Sequence, residues 1–224
     1  MTGQQAERNR TMRVDIVSDV VCPWCAVGYY QLATAARETG TDLEVHWHPF
    51  QLNPHVGPEG ENLRDHLALK YGTTPEQSDA ARDRLTALGA EAGFTFNFNE
   101  DTRTWNTFDA HRLIGWAELS GRQHETKLAL LKANFTDNRN VSDREVLTEI
   151  AGSVGLDGKE ARAMLDSEAY GAELQAALEF WRGRGISGVP SMIFLGRHLV
   201  TGAQGIETYR SILDQLTAMA KEAS

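Results

Sequence analysis

The chain holds two cysteines, and both fall in one short stretch, "DVVCPWCAVG", from Asp19 to Gly28. Two thiols separated by two residues support three kinds of chemistry: half of a metal site, a small structural staple, or a redox pair that opens and closes. Zinc takes about four nitrogen or sulfur ligands, so Cys22 and Cys25 would need two more. His46 and His48, alternate residues of "LEVHWHPFQL", have a spacing that could add them. Histidines on the polar face of a strand more often face solvent or hydrogen-bond, and a closed site normally carries a second Cys/His pair at short spacing. A disulfide over so short a loop removes little entropy from the unfolded chain and would stabilise weakly. The redox reading uses the most features of the stretch.

Those features are set by the elements around the pair. "RVDIVSDVV" is rich in Val and Ile, alternates and then runs apolar, which predicts a strand. Pro23 suits the first turn of a helix, where its missing N–H costs nothing. "WCAVGYYQLATAARETG" has apolar residues at helical spacing and ends on Gly40, a C-terminal cap. "LEVHWHPFQL" alternates again, with Leu43, Val45 and Trp47 on one face, and completes a β-α-β unit with parallel strands. Cys22 then sits at a helix N-terminus, where backbone N–H groups and the dipole favour a thiolate. Cys25 lies one helical turn on, on the same face, at a separation that suits a disulfide. Cys22 is expected as the exposed attacking thiol and Cys25 as the more buried resolving thiol. A Cys-x-x-Cys beside a β-α-β unit points to a thioredoxin-like redox site.

From about Glu61 the pattern turns helical. Six segments, the last running from Asp157 to Gly185, begin at Asp, Ser, Thr or Pro, and most end at Gly. Strand character returns in "SMIFL" and "LVTG", joined by a tight turn at "GRH", and the helix "IETYRSILDQLTAMAKEA" follows. The expected fold class is α/β, a thioredoxin fold interrupted by a large all-helical insertion. Residues 1–11 read as a flexible tail, 12–56 and 184–224 as the halves of the thioredoxin-like domain, and 57–183 as the insertion. "GRGISG", from Gly183 to Gly188, matches a dinucleotide fingerprint but follows a helix and precedes a strand. That order is wrong for phosphate binding. No internal repeat is evident.

With 224 residues, 41% hydrophobic and 24% charged, the chain can bury a sizeable core. Its formal net charge of −9 repels phosphate backbones and argues against a nucleic-acid partner. No apolar run approaches a membrane span. The polar N-terminus lacks a secretory h-region, so the expected compartment is the cytoplasm, where thiols are kept mostly reduced.

In combination, "CPWC" after an N-terminal strand, the helical insertion and "GVPSMIFLG" resemble the DsbA-like branch of the thioredoxin superfamily. "PFQLNP" and "FNFN…NTFDAHRLIGWA" are similar to its FrnE-type subgroup. The resemblance runs from Met12 to about Leu216. It implies a thiol-disulfide oxidoreductase or isomerase acting on protein or peptide thiols through Cys22 and Cys25. It implies a cis bond before Pro190, with Pro190 packed against the cysteine pair and the Val189 backbone pairing with extended substrate. Pro23 and Trp24, with Val189, are expected on the substrate side. Asn106 and His111 are expected to border the cleft, although His111 also reads as part of a core stripe with Phe108 and Leu119. No bound cofactor or metal is implied. Electrons come from thiols, and the pair is expected to be re-set by an external thiol reductant or oxidant, with glutathione a candidate partner.

Family members with His in the slot of Trp24 gain a positive charge that Trp cannot supply. A potential nearer thioredoxin (about −270 mV) than DsbA (about −120 mV) is therefore expected. Two alternatives remain. Kappa-class-type glutathione-dependent isomerases or transferases usually carry Ser at the first cysteine position and lack the second cysteine. A non-enzymatic chaperone would use the helical block and survive loss of Cys22.

Overall fold

The computed structural model describes residues 11–222. The expected tail, residues 1–11, lies outside the described residues except for Thr11, which opens the first strand. Strand β1 (Thr11–Ser18) is buried from Val14 onward. Helix α1 (Pro23–Thr39) has Pro at its first turn and ends at Gly40, whose φ of 66° lies where a side chain would be strained. The Gly40 N–H donates to the Ala36 carbonyl. Strand β2 (Asp42–Pro49) runs parallel to β1, with Val14 opposite Val45 and Ile16 opposite Trp47.

The insertion opens with β3 (Glu61–Asn62) and α2 (Leu63–Tyr71), followed by α3 (Pro75–Ala92). Strand β4 (Arg103–Thr104) pairs antiparallel with β3. Helices α4 (Phe108–Glu118), α5 (Gln123–Phe135), α6 (Arg144–Ser153), α7 (Gly158–Asp166) and α8 (Gly171–Gly183) follow. Several starts are side-chain caps: Asp143 and Asp157 accept backbone N–H groups, Thr74 forms a capping box with Gln77, and Asn62 caps α2, whereas α4 and α5 begin without a side-chain cap.

The segment from Asp157 to Gly185 is two helices, not one. Ser167 is extended and Tyr170 has φ 61°. Arg112, 3% exposed, reaches into the break and donates to the carbonyls of Met164, Ser167 and Ala169 at 2.8, 2.6 and 2.8 Å. A buried guanidinium from a distant helix thus satisfies carbonyls that a continuous helix would have bonded internally.

The chain then re-enters the sheet through β5 (Ser191–Phe194) and β6 (His198–Thr201) and ends in α9 (Ile206–Glu222). The sheet order is β2-β1-β5-β6, with β5 antiparallel to both β1 and β6. Helices α1 and α9 pack together, α3 lies on α1, and α5 and α8 lie on β2. One buried cluster joins Val14, Ile16, Leu32 and Trp47 to Leu113, Leu130, Leu147 and Leu165. The sheet and the insertion therefore share a core. Among the described residues no helix is long and apolar enough to cross a membrane.

Candidate active site

β1 delivers the chain to the turn Asp19–Cys22, and α1 begins at once. Cys22 is the N-cap residue, in extended conformation, and the N–H of Cys25 donates to its carbonyl at 3.0 Å. Both cysteines are free thiols. Cys22 is the more accessible, but at 4% exposed against 0% for Cys25 it is a covered sulfur rather than the open thiol expected. The cover comes partly from the far end of the chain. Cys22 Sγ lies 3.7 Å from the carbonyl oxygen of Val189, to which its S–H donates.

The Val189–Pro190 bond is cis. Pro190 is buried, and its carbonyl accepts the N–H of Gly202 at 2.8 Å. A Cβ added to Gly28, one turn beyond Cys25, would meet Pro190 Cγ and Met192 Cε at 3.2 Å. Gly28 thus lets α1 approach the Pro190 loop closely. A groove of ~340 Å³ runs beside that loop, lined by Ile186, Val189, Pro190, Leu199 and Thr201.

Below the pair sits a buried polar cluster, of which the resemblance pointed only to His111. Asp19 is fully covered; its Oδ2 accepts the Leu52 N–H at 2.8 Å. His111 Nε2 lies 3.3 Å from Asp19 Oδ1 and 2.9 Å from the Phe50 carbonyl. Both neighbours are acceptors, so this nitrogen carries the proton. Burial pushes His111 below the ordinary histidine value, against the pull of Asp19. The ring is therefore neutral near pH 7 and serves Asp19 as an N–H donor. Burial pushes Asp19 up, but the bond from His111, the Leu52 N–H and the charge of Lys127 outweigh it and hold the carboxyl down.

The two thiols titrate as one pair. The hydrogen bond with Cys25 and burial push the Cys22 thiol well up. Burial also pushes Cys25 up, but the bond from Cys22 and the charge of Lys127 outweigh it, so Cys25 is held below the ordinary thiol value. The charge of Lys127 therefore favours negative charge on the Cys25 side of the pair.

Trp24 is half-buried, with the Arg84 guanidinium 5.4 Å from its ring centre, so it packs against the insertion rather than standing free over the nucleophile. Pro23 is likewise half-buried beside it. Asn106 and His111 are not brought together. Asn106 donates to the carbonyls of Pro54 and Val56 at 3.0 Å and lines a separate cavity with Phe108, Arg112 and Arg144. His111 is a buried support beneath the cysteine loop. His46 and His48 bond Glu44 and Asp15, each at 2.8 Å.

A Cys-x-x-Cys opening a helix, covered by a proline loop from the returning strand, is the arrangement a dithiol exchange needs. A profile described as a DSBA-like thioredoxin domain matches residues 13–214. The chain belongs to the DsbA-like thioredoxin family. It is similar to SCO1869 of Streptomyces coelicolor, a probable DsbA oxidoreductase, with 35% identity and a TM-score of 0.83 over 91% of this chain and 89% of that one. It is also similar to the uncharacterised protein YwbO of Bacillus subtilis (strain 168), at 26% identity over 91% of this chain and 96% of that one. A 2-hydroxychromene-2-carboxylate isomerase shares the fold at 15% identity and a TM-score of 0.70, over 95% of this chain and all of that one. The family and the cysteine pair support disulfide oxidoreductase chemistry.

Proposed function

We propose that the protein exchanges disulfides with protein or peptide thiols through Cys22 and Cys25, and that within its family it belongs to the FrnE-type subgroup. One observation carries the exchange reading: Cys22 Sγ rests against the Val189 carbonyl, at the edge of the groove beside Pro190. An extended peptide laid in that groove pairs with the Val189 backbone and brings its sulfur to Cys22.

In the reducing direction Cys22 attacks a substrate disulfide, its proton passes to Cys25, and one substrate sulfur leaves as a thiolate that takes a proton from solvent. Cys25 then loses its proton and attacks Cys22 Sγ. The second substrate sulfur leaves, and the Cys22–Cys25 disulfide forms. Two electrons have moved from the protein to the substrate. The oxidising direction is the reverse. The chain has no third cysteine, so the pair is re-set by an external thiol or oxidant, with glutathione a suitable reductant. No bound cofactor takes part, and we place the reaction in the cytoplasm.

The fold shared with the isomerase raises a glutathione-dependent small-molecule reaction as the second reading. It uses a single activated position and gives no role to Cys25. Cys25→Ser separates the two. It traps mixed disulfides between Cys22 and protein substrates under the exchange reading. Unchanged turnover and no trapped protein would favour the isomerase reading.

A further inference from the structure

Lys127 is 1% exposed, on α5 of the insertion, and the proposed chemistry gives it no role beyond its charge. Its ammonium lies 5.3 Å from the centre of the Trp47 ring, and among the described residues it makes no hydrogen bond and no ion pair within 4 Å, although the charges of Cys25 and Asp19 act on it. It lines a cavity of ~300 Å³ with His111, Gln123 and Trp47. A lone buried ammonium is costly, and residues that bear such a cost commonly serve function.

The register of two facing helices says what it serves. Tyr29 Oη on α1 is 3.0 Å from His124 Nε2 on α5. Leu131 of α5 shares a buried cluster with Ala26 and Val27 of α1. The two faces therefore run in opposite directions. One turn back from Tyr29 is Cys25, and one turn on from His124 is Lys127. This register puts Lys127 on the side of α1 that carries Cys25, and its charge acts on that thiol from the insertion.

The charged and titratable groups around it leave it that task. Asp19 is buried and bonded to His111 and the Leu52 N–H rather than to Lys127, and Asp15, also buried, is held by Arg13 and His48. Burial keeps His111, His124 and His48 below the ordinary histidine value and Tyr29 above the ordinary tyrosine value, so none is charged near pH 7. Glu118 and Glu173 stand exposed at the cavity rim. Cys22 and Cys25 complete the surroundings.

We propose that Lys127 is a positioning residue for disulfide exchange: its ammonium holds the negative charge on Cys25 each time that sulfur is deprotonated, and the cavity gives it a proton path to solvent. This rests on the exchange reading above. Lys127 titrates near pH 8, so the support it gives is strongest below that pH and fades above it.

The test is the lifetime of the mixed disulfide between Cys22 and a model peptide disulfide, followed by acid quench and mass spectrometry from pH 6 to 10. It is run on wild type, Lys127→Met and Lys127→Arg, with thermal melting alongside. Lys127→Met is expected to resolve about tenfold more slowly at pH 7, with its profile displaced upward by about one unit, while melting no lower than wild type. Lys127→Arg keeps the charge and is expected to restore the pH 7 rate and lose the inflection near pH 8. A folded Lys127→Met with the wild-type profile overturns the inference, as does Lys127→Arg as slow as Lys127→Met. Should Lys127→Met not fold, an NMR titration of the Lys127 side chain decides. Its pKa should fall in Cys25→Ser, and no change overturns the inference. Wild type that forms no mixed disulfide sinks the exchange reading itself, which is a different outcome.

Discussion

The sulfur of Cys22 lies 3.7 Å from the carbonyl oxygen of Val189, a residue 167 positions further along the chain. The contact joins the two halves of the sheet domain at the cysteine pair. It also explains why Cys22 is covered: a helix N-terminus exposes a thiol only if nothing returns to lie over it.

The packing of Pro190 on α1 predicts a split between activity and stability. In Gly28→Ala the new Cβ meets Pro190 Cγ and Met192 Cε at 3.2 Å, so the proline loop must move by a few tenths of an ångström. Insulin reduction should fall several-fold while the melting temperature shifts little, because better helix propensity offsets the crowding. In Gly89→Ala the new Cβ would lie 2.6 Å from Phe96 and 2.7 Å from the Phe94 carbonyl, with no contact to the proline loop. That variant should lose about 1–3 kcal/mol of stability and keep its activity per folded molecule.

Burial lowers the folded-state pKa of His48, His111 and His124. Unfolded, these rings titrate near 6.5. As pH falls through that value the unfolded state takes up protons that the folded state resists, so stability falls. Melting temperature should drop between pH 7 and pH 5, and His111→Gln should make the drop shallower. A slope unchanged by that substitution would show that His111 is not held neutral.

Arg112 supports the break between α7 and α8 from within the core. Arg112→Met leaves the carbonyls of Met164, Ser167 and Ala169 without its donors. The expected cost is about 3–5 kcal/mol, seen in chemical denaturation, with the thiol chemistry of the remaining folded protein intact.

Trp24 supplies no charge beside the pair. Equilibration with glutathione should place the potential nearer about −270 mV than about −120 mV, and Trp24→His should raise it. A wild-type value at the oxidising end would contradict the reading of Trp24, and Lys127 would then be the first residue to examine as the source of thiolate stabilisation.

The parts of the site that follow from local rules were legible in the sequence. Pro23 and Gly40 bound α1, the alternation of β2 sets its register, and two cysteines one turn apart announce their chemistry. The proline loop was legible through family likeness, because "GVPSMIF" alone says nothing about Cys22. Asp19, His111 and Lys127 form a set only when three distant segments meet. Lys127 sits in the run "TKLALL", where a lysine reads as one polar position on a helix. The break at Tyr170 was hidden for the same reason: local propensity continues the helix, and Arg112 ends it from 55 residues away. The packing of Trp24 against Arg84 was not legible, because Arg84 lies on a helix that pairs with α1 only in the folded chain.

The most direct measurement is insulin disulfide reduction by wild type and Cys22→Ser, matched for folded protein, with glutathione as the reductant. The account predicts turnover by wild type and none above the uncatalysed rate for Cys22→Ser. Full activity in Cys22→Ser would contradict it.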